Sequence, residues 1–168
     1  MARVRLIHER VRGTLPDGSA YAASDPALLA WVHATEAISF LTAWIRYAEP
    51  AMSAADQDRY FVEMARVAAG LGADPIPVSR AEAERLIQAM RPQLRVDERT
   101  SEVARLVLTQ PARRRAAEPF QALTMQAAID LLPDWARAMH QLPAPALARP
   151  LVRAGTLGVA ATLRWAFR

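Results

Sequence analysis

The residues best suited to chemistry lie close to the start of the chain. His8 stands between Arg5 and Arg12 in the segment RVRLIHERVRG. In a continuous helix these three residues occupy positions i, i+3 and i+7, so their side chains share one face. An imidazole can bind a metal ion, and nearby guanidinium groups can hold anionic groups of the same cofactor. This chemistry suits a haem iron with its two propionates.

A second candidate is His33, which stands three residues before Glu36 on a predicted helix. A His-x-x-Glu pair could supply half of a metal site, but carboxylate-bridged metal bundles need several such groups on facing helices. The sequence contains no second pair of this kind. We therefore interpret His33 either as a hydrogen-bonded core histidine or as a residue beside a cofactor.

Composition removes several classes of function. The chain has no cysteine, which excludes disulfides, zinc–thiolate sites, iron–sulfur clusters and thiol nucleophiles. It also has no Gly-x-Ser-x-Gly elbow, no P-loop and no dinucleotide fingerprint. Nothing in the sequence supports a hydrolase, a kinase or an NAD-dependent enzyme.

The net charge of +4 is unevenly distributed. Residues 1–110 carry 13 arginines against 14 acids, whereas residues 111–168 carry eight arginines against three acids. The aromatic residues follow apolar helical stripes rather than alternating with basic residues, so we predict no nucleic-acid partner. The basic, amphipathic C-terminal helix either packs on the domain or makes peripheral contact with an anionic membrane surface.

The positions of helix caps, glycines and prolines predict an all-α fold. We expect a single domain over residues 1–168 with seven or eight helices and no sheet. The first helix should end at Gly13, before a loop with Pro16, Asp17 and Gly18 as turn residues. The second is apolar nearly all round, which favours a central position in a bundle. We find no signal peptide and no uninterrupted apolar run of membrane-spanning length, so the expected location is cytoplasmic. The predicted helices are approximately 2–12, 24–47, 53–70, 79–91, 100–110, 118–132, 134–140 and 145–168.

Several motifs in a fixed order carry a resemblance to a known family. RVRLIHERVRG is followed by DGSAYAASDPALLAWVHATEAISFL and later by DQDRYFVEMARVAAGLGADPIPVSRAE. This series resembles the oxygenase family that includes the rubber oxygenases (latex-clearing proteins) and the ER-bound oxygenase MpaB. The resemblance is best over residues 3–95 and corresponds to the C-terminal part of the family domain.

The resemblance implies haem b as cofactor, with His8 as the proximal iron ligand. Arg12 would pair with a propionate or an internal carboxylate, with Arg5 and His33 also beside the cofactor. The implied activity is oxidation of a small apolar substrate.

In the family a helical segment precedes the histidine helix and supplies the distal side of the pocket. This sequence starts at the histidine helix, so we expect a truncated or split protein. The alternative is a non-catalytic helical remnant or interaction subunit, either a homo-oligomer or dependent on a partner chain for the missing helices.

Overall fold

The computed structural model describes residues 2–15, 17–112, 114–142 and 149–166. The all-α class is confirmed, because helices account for most of these residues. The last helix is described from Arg149, and residues 145–148 of its predicted span lie outside the described residues. The helices are α1 (Ala2–Arg10), α2 (Pro26–Tyr47), α3 (Ala54–Leu71), α4 (Arg80–Met90), α5 (Glu98–Leu108), α6 (Glu118–Leu131), α7 (Asp134–Met139) and α8 (Arg149–Ala166), with short 3-10 turns at Arg91–Gln93 and Arg115–Ala117.

The prediction that there is no sheet is wrong. Strands β1 (Arg12–Thr14) and β2 (Ala20–Ala22) form an antiparallel hairpin in which Gly13 pairs with Tyr21. Gly13 is therefore a strand residue and not the C-terminal cap of α1. Each strand has only three residues, too few to show the alternation by which strands are identified in a sequence.

The turn of the hairpin is built by the residues predicted to form a loop. Asp17 Oδ1 accepts hydrogen bonds from both the backbone N–H and the hydroxyl of Ser19. Gly18 adopts a φ of 86°, which favours glycine. Pro16, also predicted as a turn residue, lies outside the described residues.

Side-chain caps define the starts of three helices where the sequence predicts them. Asp25 Oδ1 accepts from the backbone N–H groups of Ala27 and Leu28 at the start of α2. Ser53 caps α3 and Ser79 caps α4, each accepting from the N–H three residues on. These bonds satisfy amides that have no partner inside the helix.

The chain forms two compact units, the first of which comprises Met1–Leu41 and Ala51–Gln93. Its core combines α2, α3 and α4 and is built mainly from small side chains, with Phe61 as the largest that is completely buried. Leu29 and Ala30 pack with Ala68 and Ala73. The residues of this unit with no exposed surface are Ala30, Ala34, Ala37, Phe61, Ala68 and Ala83.

The second unit comprises Thr42–Pro50 and Leu94–Arg168. Within its described residues, α6 packs on α8, and the backbone of Gly155 lies close to the Leu123 side chain. Ala127 and Ile129 are buried here, together with two charged residues, Asp130 and Arg137. The single-domain organisation expected from the sequence stays a prediction.

Helix α2 is less buried than its composition suggests. Three of its large apolar side chains are more than half exposed. These are Val32, Phe40 and Trp44, which are spaced by multiples of four residues. The expectation of a helix enclosed on all sides is therefore wrong. By length and composition α2 is also apolar enough to cross a membrane, a test that core helices of soluble proteins pass as well. This finding is compatible with a soluble or a membrane-associated protein.

The end of α3 depends on a glycine with a left-handed backbone. Gly72 has a φ of 93°, and its N–H donates to the carbonyls of Ala68 and Ala69. Replacing Gly72 by any other residue lowers the free energy of unfolding by about 1 kcal/mol, because a Cβ atom disfavours this backbone conformation. We expect Gly72→Ala to lower the free energy of unfolding by that amount, measured by urea denaturation.

Gly158→Ala is the matched control, for which we expect the free energy of unfolding to rise. Gly158 lies inside α8, and a Cβ added there meets open space. Alanine in a helix interior is more favourable than glycine by roughly 0.8–1 kcal/mol. A loss of stability in this variant, or no loss in Gly72→Ala, would contradict the backbone argument.

Candidate functional site

His8 lies on α1 with an imidazole that forms no hydrogen bond to the described part of the chain. The residue is half-buried, and its Nδ1 atom is shielded from solvent without a partner. Helix α1 has no buried residue, and the apolar side chains near His8 are about half exposed. The exposed apolar residues of this segment are Val4, Leu6, Ile7 and Val11. His8 thus combines a shielded, unpartnered ring nitrogen with exposed apolar neighbours.

The two flanking arginines are arranged differently from the prediction. Arg5 lies on α1 and forms an exposed ion pair with Glu9, at 3.4 Å. Arg12 lies beyond the end of α1, in β1, and its Nε donates to the carbonyl of Glu9 at 3.1 Å. Arg12 therefore does not share a helical face with His8, because the helix ends at Arg10. Its role towards a cofactor stays a prediction.

His33 is buried in α2, with 5% of its surface exposed. Its Nε2 atom has no hydrogen-bond partner in the described structure. Burial lowers the pKa of His33, because the charged imidazolium loses its hydration, while the Glu36 carboxylate acts in the opposite direction. The burial of His33 agrees with the interpretation as a core histidine, whereas its Nε2 atom lacks the expected hydrogen bond within the described residues.

The Glu36 carboxylate acts on a second group, Tyr60 of α3. Burial raises the pKa of the Tyr60 phenol, and the negative charge of Glu36 raises it further. Tyr60 also packs edge-on against Phe61, with ring centroids 5.5 Å apart. His33, Glu36 and Tyr60 therefore form one electrostatic group in the first unit. Glu36 and Tyr60 lie on different helices, so only the tertiary structure reveals their interaction.

The first unit therefore offers two imidazoles with unpartnered buried nitrogens, His8 and His33, but no preformed metal cage. Within the described residues, no three histidine or acidic side chains come together as a metal-binding group. Two surface hollows of about 450 and 350 Å³ are lined by α5 and by the segment Pro75–Ala89, and His8 lines neither. Any cofactor held by His8 would thus rest on the apolar surface of α1.

A buried acid in the second unit was not predicted. Asp130 of α6 contacts Arg46, Arg149 and Arg153. The sequence signal was present but weak: a single acid in the apolar run AAIDLL, followed by two arginines spaced four residues apart. Hydrogen bonds and charges from the arginines lower the pKa of Asp130 against the opposing effect of burial, with the bond from Arg153 as the largest cause.

The lowered pKa of His33 predicts a specific pH dependence of stability. The unfolded chain, with a histidine pKa of about 6.5, binds a proton at a higher pH than the folded chain does. The folded state is therefore unaffected by His33 above this value and loses stability as the pH falls below it. We expect His33→Gln to reduce the loss of unfolding free energy between pH 7 and pH 5, measured by urea denaturation.

His140→Gln is the control, because it removes an imidazole from the end of α7 instead. Equal pH profiles for wild type and His33→Gln would show that His33 is not held neutral by burial.

Comparison with known proteins identifies the family. The family model for the catalytic domain of the ER-bound oxygenase mpaB/B' and rubber oxygenase matches residues 1–165. No curated protein and no solved structure matches the chain. The match extends well beyond the segment 3–95 in which the sequence motifs are clearest. The chain therefore belongs to the mpaB/rubber oxygenase catalytic-domain family.

Proposed function

We propose that this chain binds haem b through His8 and takes part in the oxidation of a small apolar substrate. The observation that carries the proposal is the imidazole of His8, whose Nδ1 has no hydrogen-bond partner among the described residues and whose apolar neighbours are about half exposed. Membership of an oxygenase family supports the type of reaction.

The residues around His8 have the chemistry that a haem requires. An imidazole nitrogen that makes no hydrogen bond is free to bind a metal ion, and Nδ1 of His8 has no such bond within the described residues. The apolar side chains of α1 suit the porphyrin ring. Arg5 and Arg12 carry exposed guanidinium groups that could pair with propionates. When bound, haem supplies an iron centre able to bind and activate dioxygen.

In this proposal each residue of the chain has a limited role. His8 holds the iron, Arg5 and Arg12 orient the ring through its acidic groups, and the α1 side chains exclude water from one face. His33, neutral because it is buried, adds an imidazole close to Glu36 without introducing a positive charge. The apolar surface that binds the ring also favours an apolar substrate.

Haem titration tests the proposal. We expect the purified chain to take up added haemin with a Soret band, and haem binding to raise its unfolding temperature. His8→Ala should weaken haem binding at least about tenfold, because one metal–ligand bond is lost, equivalent to about 1.4 kcal/mol or more. The measurements are absorption and thermal unfolding, so no substrate is needed.

His140→Ala is the matched control, since it removes a histidine of the second unit and should leave haem uptake unchanged. Failure of the wild-type chain to bind haemin, or equal binding by His8→Ala, would refute His8 as the iron ligand.

A second candidate function is an interaction subunit that completes its site with another chain. The exposed Val32 and Phe40 of α2 and the exposed apolar residues of α1 favour it, because large apolar side chains left uncovered are suited to a contact with another chain. The partner is either a second copy of this chain or a chain that supplies further helices.

Light scattering on a size-exclusion column distinguishes the two arrangements. We expect the wild-type chain to elute above its monomer mass, and the double substitution Val32→Ser with Phe40→Ser to shift it towards the monomer, because both remove exposed apolar area. Val103→Ser with Leu106→Ser on α5 removes comparable exposed residues elsewhere. A wild-type monomer at all concentrations would contradict self-association.

A further inference from the structure

The arginine cluster of the second unit surrounds an acid that is almost completely buried. The Asp130 side chain is 4% exposed. Arg153 donates two hydrogen bonds to it, from Nε to Oδ2 at 2.7 Å and from Nη2 to Oδ1 at 3.2 Å. This paired geometry is the strongest arrangement between a guanidinium and a carboxylate. Asp130 and Arg153 therefore satisfy each other without further help.

Two more arginines approach the same carboxylate with poorer geometry. Nη1 of Arg46 lies 3.5 Å from Oδ2. Nε of Arg149 lies 3.0 Å from Oδ1, but it is buried and makes no hydrogen bond there. Arg149 is therefore paired with Asp130 by charge, but its hydrogen-bonding capacity is not used by that carboxylate.

The charges of the cluster do not balance. Three guanidinium groups share one carboxylate, which leaves two positive charges. Among the described residues, none of these three arginines forms an ion pair with any other acid. The sequence has no acidic residue after Asp134 that could compensate. Repulsion between like charges held this close favours the binding of an anion.

The cluster is also open to solvent on its outer side. The side chains of Arg46, Arg149 and Arg153 are 37%, 34% and 42% exposed, whereas the acid that they surround is buried. Asp130 thus holds three guanidinium groups in place while their side chains remain partly accessible to solvent. Such preorganisation lowers the entropic cost of binding.

We propose that Arg46, Arg149 and Arg153 form a binding site for a phosphate group. A phosphate dianion matches the excess of two positive charges, and its several oxygens suit a set of guanidinium donors. The group would belong either to a soluble phosphate compound or to the headgroup of an anionic lipid. This site is independent of the proposed haem function, because none of its residues takes part in holding the haem.

Binding of inorganic phosphate provides the first test. We expect sodium phosphate to raise the unfolding temperature of the whole chain above that in sodium chloride of equal ionic strength. Arg149→Gln should raise the phosphate dissociation constant at least fivefold. Arg105→Gln, which removes the same charge from an exposed position on α5, should leave it unchanged. Circular dichroism in chloride verifies that both variants fold.

Sedimentation with vesicles distinguishes the two sources of the phosphate group. Vesicles of phosphatidylcholine with phosphatidic acid are compared with phosphatidylcholine alone. Binding to the acidic vesicles that Arg149→Gln loses and Arg105→Gln keeps would assign the site to a lipid headgroup. Binding of free phosphate without vesicle binding would assign it to a soluble compound.

Two results would overturn the proposal. The first is the absence of any effect of phosphate beyond that of chloride, with vesicle binding also absent or insensitive to Arg149→Gln. The second is an equal loss in Arg149→Gln and Arg105→Gln, which would mean that only the overall charge matters. Haem uptake is unaffected by either result, so the two proposals can fail separately.

Discussion

The first unit depends on the burial of small side chains along α2. Ala30, Ala34 and Ala37 have no exposed surface, and Ala68 of α3 is equally buried. Leu29 and Ala30 of α2 pack with Ala68 and Ala73, so small side chains form much of the contact in this core. Such packing leaves little room for change, because an added methylene group forces neighbouring atoms to move.

The burial of this face of α2 also determines the pKa of His33. The histidine lies next to buried alanines on α2, so its ring loses hydration and remains neutral. Glu36, one turn further along α2, is exposed and acts on the pKa of both His33 and Tyr60. One helix thus places a buried imidazole and an exposed acid side by side. Val32 and Phe40 of the same helix are more than half exposed.

The second unit relies on a different interaction, in which charge is buried together with its partners. Asp130 is stable as an anion because Arg153 binds both of its oxygens. The three arginines come from α2 and α8, so one carboxylate on α6 joins three helices within the unit. A buried acid of this kind specifies geometry more than it adds stability, because removing charges from water is costly.

Most of the helices could be predicted from local sequence, because caps, turn residues and apolar periodicity act over a few neighbouring residues. Asp25, Ser53 and Ser79 cap the helices that their spacing predicts. Which helix faces are covered and which charges meet depends on packing between distant segments. Arg46 and Asp130 are 84 residues apart, and no local pattern links them. The hairpin also escaped prediction, since three-residue strands are fixed by pairing with each other rather than by their own composition.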